Sequence, residues 1–186
     1  FFPAVYVVFL TLRAWRLEQP ALAMLVLASL VFYGMWSWKY LGLLLVLIVV
    51  NFLLGKQQVR RRGKFWLVIA IIFNLSVLVY FKYAGFFFSF LPTSASWHII
   101  LPLGISFFTF QKIAWHVDLY QRRLPDTGTP LEYSFFVCFF PQLIAGPIVH
   151  ARALFPQIAP GWFNRPLTWQ LGLCLLTIGL MKKVLL

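Results

Sequence analysis

The chain has 186 residues, of which 62% are hydrophobic, 19% aromatic and only 11% charged. Because soluble domains carry about 25% charged residues, this composition excludes a soluble domain and indicates a polytopic helical membrane protein. The net charge of +12 comes from short basic clusters between apolar runs, as in cytoplasmic loops, and therefore does not indicate a nucleic-acid partner.

Apolar runs along the chain predict an all-α fold with about six to seven membrane segments. In chain order, these segments are Ala4–Leu12, Leu22–Trp38, Tyr40–Leu54, Phe65–Phe81, Ile99–Tyr120, Leu131–Val149 and Leu167–Leu186. The first run is too short to span a bilayer, and both ends of the chain lie inside apolar runs. We therefore expect residues 1–186 to be the N-terminal part of a single membrane-embedded domain, truncated at both ends.

Basic residues alternate between the predicted loops. The loop with Arg13 and Arg16, the loop from Lys56 to Lys64, and the loop with Arg122 and Arg123 all fall on one side of an alternating topology. Cytoplasmic loops of membrane proteins carry an excess of lysine and arginine. The pattern therefore places these three loops in the cytoplasm.

The sixth segment contains the sequence Phe-Phe-Pro-Gln-Leu-Ile-Ala-Gly-Pro-Ile-Val at residues 139–149. Proline removes a backbone donor and interrupts a helix. Backbone that is not helical persists at membrane depth only where protein buries it or where it lines a wet cavity. We therefore predict that this segment is broken, as a kinked span or a re-entrant loop, and that Pro141, Gly146 and Pro147 shape a site.

The fifth segment carries the polar residues with the most informative spacing. Gln111 and Asp118 lie seven residues apart on one helix face, whereas Lys112 and His116 lie four apart on a neighbouring face. Polar groups inside membrane segments are functional candidates. The plainer alternatives are that Asp118 pairs with Arg122, that His116 is a hydrogen-bonded core residue, and that Lys112 extends to the membrane interface.

Few other residues suggest chemistry. His150 directly follows the broken segment, where it could act as a general base or cap exposed carbonyls. Cys138 and Cys174 lie inside apolar runs, so we expect both to be buried packing residues. The sequence predicts no metal site, because neither cysteine has a cysteine or histidine nearby at ligand spacing.

Seven sequence words recur in an order and at spacings typical of one protein family. They are residues 30–36 (LVFYGMW), 80–84 (YFKYA), 101–111 (LPLGISFFTFQ), 118–120 (DLY), 139–148 (FFPQLIAGPI), 156–157 (PQ) and 179–183 (GLMKK). Together they resemble the membrane-bound O-acyltransferase family, and within it the bacterial alginate O-acetyltransferase branch.

The resemblance implies an enzyme of many helices with a tunnel through it. Such an enzyme moves an acyl group, here expected to be acetyl, from a cytoplasmic donor to a hydroxyl of an extracytoplasmic polysaccharide. The implied donor is a thioester such as acetyl-CoA, and no tightly bound cofactor is expected. The expected partners are the lipid bilayer, the donor and the polysaccharide, with a periplasmic partner protein as one route to the acceptor. The expected location is the bacterial inner membrane.

The resemblance also implies that the family's catalytic histidine lies beyond Leu186, since none of the three histidines in this chain matches it. We therefore predict no catalytic residue here and expect the fragment alone to be inactive. Residues expected to line or shape the tunnel are Gln111, Asp118, Gln142, Gly146, Pro147 and His150. The alternative function is a membrane transporter or flippase, because broken helices also build transport sites.

Overall fold

The computed structural model describes residues 1–88, 101–143, 146, 149–164 and 168–185. Every regular element within these ranges is helical, which confirms the all-α fold class. The helices are α1 (Phe2–Ala14), α2 (Glu18–Trp36), α3 (Trp38–Arg61), α4 (Lys64–Phe88), α5 (Ile105–Tyr120), α6 (Pro130–Cys138), α7 (Phe140–Leu143), α8 (Ala151–Ile158) and α9 (Trp169–Leu185), with a 3-10 turn at Trp162–Asn164.

Three helices in the described part of the chain are long and apolar enough to cross a bilayer. They are α2, α3 and the Lys64–Tyr83 part of α4. At 1.5 Å per residue, the 24 residues of α3 extend about 36 Å, which exceeds a hydrocarbon core of about 30 Å. The predicted integral membrane protein is therefore confirmed.

The turns between the long helices are shorter than the charge pattern suggested. Helix α3 continues through Lys56 and ends only at Arg61, so most of the basic cluster predicted as a loop is helical. Only Arg62 and Gly63 separate α3 from α4, and Ser37 alone separates α2 from α3. Lysine, glutamine and arginine are good helix formers, which is why the helix continues past the end of the apolar run.

Helices α3, α5 and α6 pack closely around one aromatic side chain. Trp115 of α5 is fully buried, and its ring centroid lies 4.3 Å from that of Tyr133 in α6. A methyl group on Gly55 of α3 would lie only 2.2 Å from the Trp115 ring. A glycine at this position therefore allows α3 and α5 to approach each other.

The two cysteines differ in their surroundings. Cys138, the last residue of α6, is buried as expected, whereas Cys174 of α9 is exposed. Residues 168–184 are exposed along the whole helix. The expectation of a buried Cys174 is therefore wrong, because the described residues do not cover α9.

Candidate functional site

The start of α5 lies directly against the end of α7. Gly104, which precedes α5, has φ +72°, and a Cβ there would lie 2.5 Å from the carbonyl oxygen of Leu143. Both the left-handed backbone and this close approach require glycine. The backbone N–H of Phe140 also donates a hydrogen bond to Ser29 Oγ of α2, at 3.2 Å. Two of the family-like sequence words, 101–111 and 139–148, therefore meet here.

The sixth predicted segment is broken, and the break lies at Phe139. This residue has φ −53° and ψ 110°, which ends α6 after nine residues, or about 13.5 Å. That length is less than half of a hydrocarbon core of about 30 Å. Pro141 lies in the first turn of the four-residue α7. N–H groups in the first turn of a helix have no intrahelical acceptor, so proline, which lacks the N–H, loses no helical hydrogen bond there.

Both ends of the broken segment lie at the same end of the helix bundle. A Cβ on Gly128, just before α6, would lie 2.8 Å from the ring of Phe155 in α8. His150 Nδ1, just before α8, lies 3.2 Å from Asp118 Oδ2 near the end of α5. The chain therefore enters the bundle at α6 and comes back to where it entered. Residues 130–158 are referred to below as the return segment.

The three predicted basic turns are also at this end. The carboxylate of Glu18, after the first turn, accepts hydrogen bonds from the N–H groups of Gly161 and Phe163, beyond the return segment. Arg62 from the turn before α4 and Arg122 from the turn after α5 line one cavity. These contacts agree with the grouping of the three loops by charge. This end of the bundle is referred to below as the basic end.

Asp118 anchors the return segment at the basic end. Its side chain is only 2% exposed and lies 3.2 Å from His150 and 3.7 Å from Arg123. The expected partner Arg122 is wrong, because Arg122 adopts a left-handed conformation with φ 55°. The turn instead places Arg123 beside Asp118, and the backbone N–H of Arg123 donates to the Asp118 backbone carbonyl at 2.9 Å. His150 precedes α8 without a side-chain bond to the N–H groups of that helix, and its role in capping exposed carbonyls stays a prediction.

The remaining candidates occupy separate positions. Gln111 is buried, and its Nε2 donates to the Phe136 carbonyl at 2.7 Å, which fastens α5 to α6. The N–H of Gly146 donates to the Gln142 carbonyl at 2.9 Å, and a Cβ on Gly146 would lie 2.6 Å from Gln142 Cγ. Pro147 lies outside the described residues. A tunnel-lining role for all six candidates stays a prediction.

A buried polar cluster that the sequence reasoning missed lies between α3, α4 and α5. His116 is fully buried, with Nδ1 at 3.0 Å from Gln58 Oε1 and Nε2 at 3.1 Å from Asn51 Oδ1. Gln58 Nε2 donates to the His116 carbonyl at 2.7 Å, and Asn74 Nδ2 donates to Asn51 Oδ1. His116 is therefore the hydrogen-bonded core residue that was expected. Together with Lys112, these residues are referred to as the polar core.

Lys112 is the least expected member of the polar core. It is 0% exposed, so the predicted extension to the membrane interface is wrong. Its Nζ has no hydrogen-bond partner among the described residues and lies 4.8 Å from the ring centroid of Phe108. A buried ammonium without a hydrogen-bond partner costs free energy. Charged groups retained at such depth are functional candidates in membrane proteins.

A simple signal in the sequence would have found part of the polar core. Asn51 and Gln58 lie seven residues apart in α3, the same spacing that placed Gln111 and Asp118 on one face of α5. Asn51 interrupts an otherwise apolar run, whereas Gln58 lies in the basic stretch that follows it. In the part of the chain that the structure describes, no group of three or more His, Cys, Asp or Glu could hold a metal ion.

Comparison with curated proteins finds bacterial O-acetyltransferases. The chain is 39% identical to the peptidoglycan O-acetyltransferase of Helicobacter pylori, over 86% of this chain and 37% of that protein. It is 36% identical to the probable alginate O-acetylases AlgI of Pseudomonas aeruginosa and Azotobacter vinelandii, over 81% and 72% of this chain and 32% and 30% of those proteins.

The matched region is a part of each relative. The chain spans about a third of the length of the curated relatives it matches. No family model matches the chain, and no solved structure matches it.

Proposed function

Because the chain belongs to the membrane-bound O-acyltransferase family, we propose that it is part of an enzyme that acylates an extracytoplasmic polysaccharide. The observation that carries this proposal is the 36–39% identity, over 81–86% of the chain, to proteins named for O-acetylation of peptidoglycan and of alginate. Both named acceptors are polysaccharides, so a sugar hydroxyl is the proposed nucleophile and acetyl the proposed acyl group.

The proposed reaction has simple chemical requirements. The sugar oxygen attacks the thioester carbonyl of a donor such as acetyl-CoA, a new C–O ester bond forms, and the C–S bond breaks. The hydroxyl proton passes to a general base and the leaving thiolate takes up a proton, so that an ester and a free thiol result. By the family resemblance, the base is a histidine beyond Leu186, in a longer protein of which residues 1–186 are the N-terminal part.

The contribution of this chain is proposed to be the wall of the tunnel and its cytoplasmic end. The concentration of basic residues supports placing the basic end in the cytoplasm, with the protein in the bacterial inner membrane. The return segment then enters and leaves on the donor side. The non-helical backbone of the return segment is consistent with the rule that such backbone, at membrane depth, is buried by protein or lines a cavity. A periplasmic partner protein is one route to the polysaccharide.

The proposal is tested with the full-length protein in proteoliposomes. Acetyl-CoA labelled in the acetyl group is supplied on the side of the basic end, and alginate or peptidoglycan fragments are supplied on the other side. We expect labelled ester on the acceptor and free thiol in equal amounts. Transfer should persist in the His98→Ala variant, since His98 does not match the family's catalytic histidine, and residues 1–186 alone should be inactive.

Two results would contradict this proposal. Transfer by residues 1–186 alone would require a catalytic site inside this chain, and His116 and His150 would be the first residues to test. Movement of an intact acceptor across the bilayer without ester formation would favour the transporter alternative. No feature of the relatives' names supports transport, because they are named as O-acetyltransferases and O-acetylases.

A further inference from the structure

A cavity of about 370 Å³ opens at the basic end, outside the contacts of the six candidate residues. It lies between the last turns of α3 and α5 and the chain that leads to α6. The polar and charged residues that line it are Gln58, Arg62, Tyr120 and Arg122. Its volume is within the range of about 300–1,000 Å³ that is usual for small-molecule sites.

The charge of this cavity is one-sided. Among the described residues that line it, only Arg62 and Arg122 are charged, and neither guanidinium has an ion pair or hydrogen bond with any residue that the structure describes. The nearby carboxylates are engaged elsewhere: Asp118 pairs with His150 and Arg123, and Asp126 accepts from the Gly128 N–H at 2.8 Å. Within the described part of the chain, the cavity therefore has two cations and no acid that neutralises them.

Both arginines adopt a backbone conformation that is unusual for their residue type. Arg62 has φ 49° and Arg122 has φ 55°, at helix ends where glycine is the usual residue. Left-handed conformations of residues other than glycine cost free energy and are concentrated at ligand-binding and catalytic sites. Arg16, after α1, also has φ 55° and does not line the cavity, so the left-handed backbone does not by itself mark this site, and the two unpaired guanidinium groups are the stronger observation.

The cavity also reaches the polar core. Gln58 lines the cavity, is 3% exposed, and binds both the ring and the carbonyl of His116. A polar, buried amide therefore forms part of the cavity wall. Arginine binds phosphate through paired, charge-assisted hydrogen bonds and is the residue most suited to this task.

We propose that the cavity lined by Arg62 and Arg122 binds the phosphate group of a ligand that approaches from the basic end. Two sources share this chemistry: the phosphates of a nucleotide-bearing acyl donor, and the headgroup of an anionic phospholipid. The nucleotide source rests on the proposed acyl transfer, whereas the lipid source is independent of it. Binding is separate from catalysis, so the proposal is tested with probes that carry no acyl group.

The experiment uses the purified full-length protein in neutral detergent and in nanodiscs. Equilibrium dialysis measures binding of radiolabelled adenosine 3′,5′-bisphosphate, and native mass spectrometry counts phosphatidylglycerol retained from phosphatidylcholine nanodiscs. The test variant is Arg62→Gln with Arg122→Gln. The matched control is Arg61→Gln, because Arg61 is an exposed neighbour outside the cavity. A second variant, Arg62→Lys with Arg122→Lys, keeps both charges.

We expect the Gln pair to weaken binding of one probe by about a hundredfold, at about tenfold for each arginine, and Arg61→Gln to bind like the parent. The Lys pair should retain part of the affinity and so exclude misfolding as the cause. Loss of bisphosphate binding identifies a nucleotide source, and loss of phosphatidylglycerol alone identifies a lipid source. Failure of the parent to bind either probe, or equal binding by the Gln pair, would overturn the proposal even if acyl transfer is established.

Discussion

The polar core and the return segment place polar groups in a membrane protein in two opposite ways. In the polar core, His116, Asn51 and Asn74 are sealed between long, uninterrupted helices and are at most 1% exposed. In the return segment, α6, α7 and α8 are short, and His150 remains 45% exposed beside the buried Asp118. The polar core provides hydrogen-bond partners for buried side chains within regular helices, whereas the return segment interrupts the helical backbone itself.

This difference shows which physical constraint governs each region. Side chains of the polar core depend on the register between α3, α4 and α5, since His116 of α5 contacts Asn51 and Gln58 of α3, and Asn74 of α4 donates to Asn51. The return segment depends on backbone that only particular residues can form, such as Gly104 beside Leu143. The substitutions below separate these two kinds of dependence, beginning with the largest expected effect.

The contact between α5 and the return segment should be the most sensitive to change. Gly104→Ala forces a methyl group to within 2.5 Å of the Leu143 carbonyl oxygen at φ +72°. Left-handed strain of about 1–2 kcal/mol and overpacking of about 1–3 kcal/mol should together lower the free energy of unfolding. Unfolding in mixed detergent micelles, followed by tryptophan fluorescence, measures this loss.

Gly161→Ala is the matched control for that substitution. Gly161 also has a positive φ of 89°, but the nearest atom to its added Cβ is 3.8 Å away. It should therefore show the strain of about 1–2 kcal/mol alone. Equal losses in both variants would show that the close approach to Leu143 does not constrain the return segment.

The packing of α3 against α5 should be the next most sensitive feature. Gly55→Ala places a Cβ 2.2 Å from the ring of the fully buried Trp115, which should cost about 1–3 kcal/mol by overpacking. Gly42→Ala in the same helix has no atom within 4 Å of the added group. It should be neutral or stabilising by up to about 1 kcal/mol. If Gly55→Ala unfolds at the same detergent concentration as Gly42→Ala, the two helices are not in register as described.

Two substitutions within the polar core should have opposite consequences. His116→Leu leaves Gln58 Oε1 without its partner, at about 1–3 kcal/mol for the unsatisfied group, whereas Asn51 Oδ1 keeps the hydrogen bond from Asn74 Nδ2. Lys112→Met instead removes a buried ammonium that has no hydrogen-bond partner among the described residues, so stability should be unchanged or higher. The same unfolding assay compares the two variants. A large loss of stability in Lys112→Met would mean that this ammonium has a partner elsewhere in the full-length protein.

The anchor of the return segment should contribute least to stability. A double-mutant cycle of Asp118→Asn and His150→Gln measures the coupling between their side chains. Because His150 is 45% exposed, the coupling should be below about 1 kcal/mol and should decrease as salt is added. Coupling of several kcal/mol that does not respond to salt would contradict a solvent-accessible contact.

The sequence predicted the helical fold, the broken segment and the grouping of the basic loops, because each depends on a local pattern. Apolar runs, prolines and charge clusters can be read without knowing which helices touch. The exact end of α3 was missed because Lys56 and Arg60 continue a helix as readily as they mark a loop. The apolar composition of α9 predicts that this helix lies in the membrane, but it does not predict which residues pack against it.

The candidate site was only partly predictable. Asp118 and His150 were both selected from sequence, but their contact needed the path of the return segment, which joins residues 32 positions apart. The expected partner Arg122 failed because a single left-handed residue redirects the chain after α5. The polar core was missed because Gln58 and His116 are 58 positions apart, and no local spacing joins α3 to α5.

The path of the return segment is tested most directly by the sidedness of its two ends. In a Cys174→Ser background, single cysteines are placed at the exposed Asp126, before α6, and at the exposed Gln157, in α8. Arg61→Cys marks the basic end and Lys39→Cys the opposite end. Intact and permeabilised cells that express the full-length protein are labelled with a membrane-impermeant maleimide. If the return segment leaves the bundle where it entered, positions 126 and 157 label together with position 61, and only after permeabilisation. Labelling of position 157 in intact cells, with position 126 protected, would instead show that the segment crosses the membrane and that its two ends lie on opposite sides.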